Sequence, residues 1–444
     1  MAVTFGLDDI VSLCKRRGFV YPSSEIYGGL ASAWDYGPLG CELKRRIQAF
    51  WWREMTQLHH NIVGIDAAIM MHPRTWEASG HVENFTDPLV EDKVTHERFR
   101  LDQLPPENQR SMVSPAGNPL TPPRQFNLMF KTHIGSVEGT GSLVYLRPET
   151  AQGIYVNFKN VMQTTRQKIP FGIAQVGKAF RNEITTKSFI YRTCEFEQME
   201  MQFFVPPGED ERWFEHWKAE RMAYYAKMGV RPEKLRFHRH GKGELAHYAK
   251  DAYDIEYEFP FGWGEFEGIH NRTDYDLKRH IEYSGKDLSV LVEETKERYV
   301  PYIIETSVGL TRTVLVVLCD AYDEDIADGE KRSVLRFHPL LAPITVGVFP
   351  LVKKDGLAEI ALEIEGELRE HYTVFYDQSG AIGRRYRRQD EAGTPYCVTV
   401  DYQTKDDGTV TVRDRDSMAQ LRVKREELAG YIRGAIASYR RVQA

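Results

Sequence analysis

The sequence predicts an α/β chain, α+β in its larger part. An antiparallel sheet braced by helices is followed by a small domain of alternating strands and helices. Three stretches carry this reading. Residues 171–205 hold two runs of roughly period-2 alternation around a polar loop, the pattern of two strands in a long hairpin. Residues 302–318 run as a strand, a glycine turn and an apolar helix. Beyond residue 344, strand-like and helix-like stretches alternate at short intervals, which specifies helices covering a sheet.

Composition narrows the class before any element is placed. A chain of 444 residues with 42% hydrophobic and 27% charged side chains is expected to be soluble, with two or three domains and a substantial core. The densest apolar run, residues 313–319, is far too short to span a bilayer. The start, MAVTFGLDDI, has no basic segment leading into an apolar one, so no secretory signal is expected. Five cysteines without a CxxC pair argue against a disulfide framework and a structural zinc, and toward a reducing cytoplasm. The net charge of −6 weighs mildly against a nucleic-acid partner. Residues 384–444, however, carry thirteen Lys or Arg against nine Asp or Glu, which suits binding through a local patch.

Taken in order, residues 7–16 read as a short helix. A Gly/Tyr/Trp-rich turn over 27–40 leads into a longer one, with Leu39, Leu43, Ile47, Phe50 and Leu58 at helical spacing around Lys44, Arg45 and Arg46. Between 76 and 126, Pro105, Pro106, Pro115, Pro119, Pro122 and Pro123 break any long element and predict an insertion with mobile loops. Arg98 and Arg100 within it read either as surface charges or as a reach into a site. Residues 150–163 suit a helix, with Glu149 just before it. Residues 209–228 form a helix whose Trp213, Trp217 and Tyr224 serve packing, closed by Gly229. His238 and His240 lack companions at metal spacing and read as structural or exposed. Gly262 and Gly264 allow close backbone approach ahead of Glu265, Glu267, Arg272 and Asp274.

The C-terminal part predicts strands at 344–349, 372–376, 397–400 and 410–412. Helices are expected at 356–371, 381–389 and 418–436. Lys405-Asp406-Asp407-Gly408 signals a hairpin joining the last two strands. Tyr386, flanked by Arg384, Arg385, Arg387 and Arg388, offers either base stacking with phosphate contacts or a solvated helix face.

Chemistry concentrates in the 171–205 hairpin. Gln175 and Arg181 share one face of the first run, and Phe196, Gln198 and Glu200 one face of the second. Such side chains are costly to bury without partners. The face is therefore solvated, or it is a platform for a charged ligand. Phe196 and the continuation into Phe180-Arg181-Asn182-Glu183 favour the platform.

Those four residues, followed by Arg192-Thr193-Cys194-Glu195-Phe196, resemble the second signature motif of class II aminoacyl-tRNA synthetases. Three further segments resemble the homodimeric glycyl-tRNA synthetase family: residues 145–153 (YLRPETAQG), 196–200 (FEQME) and 34–40 (WDYGPLG). Residues 302–312 resemble the third class II motif, with Thr306 where that family usually has proline. The resemblance covers nearly the whole chain. It implies a class II catalytic domain over 1–340, with the insertion at roughly 76–126, and an anticodon-binding domain over 341–444. It implies a cytoplasmic homodimer that joins glycine to tRNA(Gly) through glycyl-adenylate made from ATP, with Mg²⁺ accompanying the ATP. Family members often carry paired cysteines where Asp92 and Thr95 stand here, so no structural zinc is expected.

The resemblance also supplies a site. Arg181 and Arg312 would be catalytic, Arg181 holding the glycine carboxylate and the α-phosphate in its guanidinium fork. Arg312 and Arg192 would meet the other phosphates, with Arg272 nearby. Asn182, Glu183, Tyr191, Glu195 and Phe266 complete the ATP set, Phe196 and Gly309 enclose the adenine, and Glu265 is the Mg²⁺ ligand. Glycine would meet Arg98, Gln198, Ser307, Phe196, Gly309 and three carboxylates, Glu149, Glu200 and Glu305. Three carboxylates repel one another in an empty site, so the glycine ammonium is expected to be the cation among them. Two alternatives stay open. One is a class II synthetase for serine, threonine or proline. The other is a non-catalytic, synthetase-like subunit of the polymerase-accessory kind, which should have lost Arg181, Arg192 and Arg312.

Overall fold

The computed structural model describes residues 5–440 except 136–141, 185–187, 242, 247, 294 and 328. Its large sheet consists of β1 (Ile62–Gly64), β2 (Phe171–Phe180), β3 (Glu195–Val205), β4 (Leu235–Arg239), β5 (Asp251–Phe259), β6 (Gly262–Thr273) and β7 (Tyr302–Gly309). These seven strands lie in the order β4-β5-β6-β7-β3-β2-β1. All neighbours are antiparallel except the parallel pair β2 and β1. Register decides what each face carries, because directly paired residues point the same way. One row runs Gln175, Glu200, Ser307, Gly268, and the next runs Gln202, Glu305, His270. The alternate positions Met199, Met201, Phe203, Ile304, Val308 and Ile269 belong to the main apolar core.

Helices fill that core: α1 (Leu7–Arg17), α2 (Pro38–Trp52), α5 (Asp210–Met228) and α7 (Leu310–Ala321), while α3 (Ala151–Val156), α4 (Phe158–Thr165) and α6 (Tyr275–Ser284) surround a smaller cluster. The α7 segment from Val314 to Leu318 is apolar at every position and buried, as expected of a helix enclosed on all sides. This back face also buries an ion pair. Glu267 of β6 accepts from Arg221 Nε of α5 at 2.6 Å and from Tyr225 Oη at 2.5 Å. Removing one partner of such a pair costs roughly 3–5 kcal/mol.

The insertion is more ordered than its prolines predict. Thr86–Glu91, Arg98–Arg100 and Arg124–Asn127 form a three-stranded sheet, and Pro106 occupies the first turn of a short helix, Pro106–Ser111, a position that proline favours. At its centre the buried Asp92 carboxylate accepts from the backbone N–H groups of Val94 (2.8 Å) and Thr95 (2.9 Å). It also accepts from Ser114 Oγ (2.6 Å) and Asn118 Nδ2 (3.1 Å). Burial pulls this carboxyl up, but the donors together hold it well below the ordinary range.

The C-terminal sheet comprises β8 (Val346–Pro350), β9 (Val374–Tyr376), β10 (Tyr396–Val400), β11 (Thr409–Asp414) and β12 (Gln420–Lys424). Five strands lie in the order β9-β8-β10-β11-β12, the first three mutually parallel. They pack on α8 (Leu357–Arg369) and α10 (Leu428–Ser438). Two expectations are corrected. β10 and β11 pair as expected, but a short helix, Tyr402–Asp407, joins them instead of a hairpin turn. Asp401 caps it by accepting from Thr404 N (3.2 Å), and Gly408 ends it at φ 69°, so the Asp-Gly pair stops a helix. The final helix begins at Leu428, because residues 420–424 alternate and pair with β11.

The basic helix α9 (Ile382–Ala392) is also corrected. Arg385 is buried and donates to Pro350 O (2.6 Å), while Arg388 donates to Ser379 O (2.7 Å) and Arg387 to Asp390 (3.3 Å). Tyr386 bonds Thr399 Oγ1 at 2.6 Å. These groups hold the domain together. Of the four arginines, Arg384 is the exposed one. The same helix closes a buried ionic cluster. Asp390 accepts from Arg413 (2.8 and 3.1 Å) and from Arg332 (3.2 Å), which lies on the preceding hairpin strand Glu330–Leu335. Among the described residues, no helix is long and apolar enough to cross a membrane.

Candidate active site

A cavity of about 320 Å³ opens over the polar face of the large sheet, where β2, β3, β6 and β7 lie side by side. β3 supplies Phe196, Gln198 and Glu200, β7 supplies Glu305, Ser307 and Gly309, and the first turn of α7 supplies Arg312. Gly264 lets the β5–β6 hairpin close over the cavity. A Cβ there would stand 2.9 Å from Tyr191 Oη.

At one end, Arg312 Nη1 donates to Glu265 O (3.0 Å) and lies 3.0 Å from Glu265 Oε1. Its guanidinium sits 4.5 Å from the Tyr191 ring centre, and Tyr191 Oη donates to Glu265 O (3.2 Å). Arg312 holds the Glu265 carboxyl below its ordinary range. In the middle, Arg181 Nε donates to Pro148 O (3.0 Å), with its guanidinium 5.3 Å from the ring centres of both Phe85 and Phe196. Arg192 Nη1 lies 3.7 Å from Glu183.

The other end holds the three glutamates, each with partners of its own. Glu305 Oε2 lies 3.0 Å from Arg272 Nη1 and 2.9 Å from His270 Nδ1. Burial alone would raise this carboxyl, and the Arg272 guanidinium reverses the sign, holding it well below the usual range. Glu149 Oε2 lies 3.4 Å from His81 Nε2, and Glu149 accepts from Gln152 Nε2 at 3.0 Å. Against the pull of burial, His81 and Arg272 bring it down to about 2. Glu200 accepts from Thr150 Oγ1 and from Gln202 Nε2 (2.7 Å). Burial and the neighbouring Glu305 push it well above the carboxylate range. Three unpartnered, mutually repelling anions are therefore not what the fold builds, which corrects that expectation.

Most of the residues expected from sequence line this cavity, among them Glu183, Phe266 and Arg272. Arg98, Asn182 and Glu195 do not. Arg98 is exposed on the insertion, with Nε 3.2 Å from Glu91, whereas Arg100, two residues on, lines the cavity and lies 2.8 Å from Asp87. Both arginines lie on the same face of the strand, as residues two apart must, and they differ in position along it: Arg98 stands opposite Glu91 and Arg100 opposite Leu89, beside Asp87. Asn182 N bonds Leu128 O (2.7 Å), and Glu195 pairs with Lys178 at the surface. Sequence reading missed His81, Tyr248 and His270. The last was accessible through the alternation of β6, which sends residue 270 to the same side as Gly268. His240 Nε2 meets Asp254 Oδ2 at 2.9 Å and His238 lies 3.6 Å from Glu244, so both have carboxylate partners.

Comparison with known proteins then places the chain. Residues 136–321 match the class II tRNA synthetase core domain of the G, H, P, S and T enzymes, and residues 345–435 match the anticodon binding domain. The chain is 66% identical to a glycine–tRNA ligase of Treponema denticola over 442 residues, covering 98% of each. It is 58% identical to that of Borreliella burgdorferi over 438 residues (98% of each), and 57% identical to that of Treponema pallidum (98% of this chain, 100% of the relative). With the motif face and this identity over nearly its full length, the chain belongs to the glycine–tRNA ligase family of class II synthetases.

Proposed function

We propose that this chain activates glycine with ATP and transfers it to tRNA(Gly), using the cavity over β3 and β7 as the reaction site. The observation that carries the reading is the zoning of that cavity. Arginines 181, 192 and 312 converge on one part, and three buried glutamates on the other. The carboxylate of glycine attacks the α-phosphorus of ATP, so one anion must approach another. Arg181 stands between the zones, and its fork suits both the glycine carboxylate and the α-phosphate. Arg312 and Arg192 face the outgoing phosphates. The ring of Phe196 and the bare backbone at Gly309 leave a slot for adenine. Glu149, Glu200 and Glu305 accept from the glycine ammonium, and Ser307, whose Oγ accepts from Gln198 Nε2 at 3.2 Å, stands where a larger side chain would begin. Arg100 takes the part expected of Arg98.

The donor set suits Mg²⁺ brought in with ATP. Glu265 and Glu183 are carboxylates on the cavity wall, and Mg²⁺ is commonly held by one or two carboxylates plus substrate phosphates. Once bound, it would neutralise phosphate charge. We further place the boundary between catalytic and anticodon-binding domains near residue 340, where one apolar cluster ends at Ala342 and the next begins at Val346. The enzyme works as a cytoplasmic homodimer, a reading supported by the exposed Ile26, Tyr27 and Leu30 (87%, 86% and 67% accessible), an apolar surface that a partner would cover. ATP–pyrophosphate exchange measured with each amino acid in turn, followed by charging of tRNA(Gly), tests the proposal. Exchange driven best by an amino acid other than glycine would overturn it.

A further inference from the structure

We propose that Glu200 carries a proton in the empty pocket and releases it when a ligand ammonium arrives, so that glycine binding is coupled to expulsion of one proton. The inference rests on the glycine-site reading above and turns on how counter-charges are distributed. Gln202 Nε2 donates one hydrogen to Glu200 Oε1 (2.7 Å) and one to Glu305 Oε1 (2.9 Å). Its orientation is fixed from behind, since Gln202 Oε1 accepts from Tyr155 Oη at 2.8 Å. The two carboxyls are thus bridged by one amide, and they are 1% and 4% accessible.

The basic side chains near the pair are committed to groups other than Glu200. From β6, Arg272 gives Nη1 to Glu305 and Nε and Nη2 to Asp276 (2.8 and 2.9 Å), while His270 lies against Glu305. Ahead of α3, Arg147 gives Nε to Lys178 O (2.6 Å) and Nη1 to Ala67 O (2.7 Å). His81 faces Glu149, which is itself a third negative charge. Among the described residues, Glu200 is held by neutral donors, the Thr150 hydroxyl and the Gln202 amide. Two adjacent buried carboxyls with their cations on one member cannot both stay ionised, and the proton settles on the member without a cation. The upward displacement of Glu200 and the downward displacement of Glu305 agree with this split.

The step balances simply. The Glu200 O–H bond breaks and its proton leaves to solvent. The carboxylate left behind accepts from the ligand N⁺–H, and no other bond changes. Glu200 is neutral toward uncharged visitors and becomes anionic for an ammonium. Glycine affinity should fall about tenfold per pH unit below the apparent pKa of the pair, the slope of one linked proton.

The test is calorimetry on the full-length enzyme in two buffers of different ionisation enthalpy. The probes are 5′-O-(glycylsulfamoyl)adenosine and its acetyl counterpart, which lacks the amine. The expected result is about one more proton released per chain with the glycyl compound, with the difference lost in Glu200→Gln. Equal proton exchange for both compounds in the wild-type enzyme overturns the proposal, as does an undiminished difference in Glu200→Gln. Failure of the glycyl compound to bind at all would overturn the glycine-site reading together with it.

Discussion

Arg272 of β6 and Glu305 of β7 meet on the cavity floor, Nη1 to Oε2 at 3.0 Å, with both side chains buried. The ligand pocket and the fold therefore share an ion pair. A substitution here disturbs both, and that governs which glutamate tests glycine recognition cleanly.

Glu305→Gln leaves Arg272 short of a buried partner, so it should raise the glycine KM and also lower stability, by roughly 3 kcal/mol as when one member of a buried pair is removed. Glu149→Gln keeps that pair. It should raise the glycine KM at least about tenfold, the cost of one lost charged hydrogen bond, with little change in the ATP KM and a smaller fall in melting temperature than in Glu305→Gln, since the partner it leaves is the His81 imidazole and not a guanidinium. Steady-state kinetics beside a thermal melt separates the two. A Glu149→Gln enzyme with unchanged glycine KM would remove this residue from the pocket.

Arg312→Ala should nearly abolish adenylate formation with the fold intact. The side chain starts α7 and faces the cavity, so its loss should cost at least about 3 kcal/mol of transition-state binding. Pyrophosphate exchange at close to the wild-type rate would contradict the assignment.

Ser307→Gly should admit alanine. Size exclusion does not require a second, proofreading site, since glycine has no smaller rival and an added methyl must overlap packed atoms. Alanine-dependent exchange should become measurable in this variant. If it stays at background, the wall lies elsewhere.

Asp390→Asn should loosen the junction between the two domains. Arg332 and Arg413 would both lose a buried counter-charge, at roughly 3 kcal/mol of stability, and tRNA charging should suffer more than adenylate formation. The nearby Asp416 makes the junction acid-labile. Burial pulls its carboxyl up, yet Arg415 and Arg336 hold it at about 2. A depressed carboxyl contributes stability above its unfolded pKa near 4, and that contribution is lost as pH falls toward 2. Melting temperature should drop across this window, and less in Asp416→Asn.

Purified protein should hold no stoichiometric zinc after dialysis against chelator, while activity should require Mg²⁺. Asp92 already has four donors about its carboxylate, so the centre of the insertion is closed by hydrogen bonds. Zinc retained at one per chain would contradict this.

The sequence by itself determined the two α/β parts, the strand-to-helix turn that aims Arg312, and the alternation that puts Phe196, Gln198 and Glu200 on one face. These are local periodicities, and a strand cannot present both sides at once. Tertiary structure decided the rest. It brought Glu149, Glu200 and Glu305 to one pocket and gave each different partners, because His81 and the β6 residues His270 and Arg272 come from two segments far apart in the chain. It chose Arg100 over Arg98, since the two share a face of a short strand and only the packing of the insertion says which of them reaches the cavity. It also turned three of the four arginines of α9, Arg385, Arg387 and Arg388, from a candidate tRNA patch into ties within the fold. Charge in a sequence does not reveal whether its counter-charge waits in solvent, in a ligand, or on a strand that pairs only once the chain has folded.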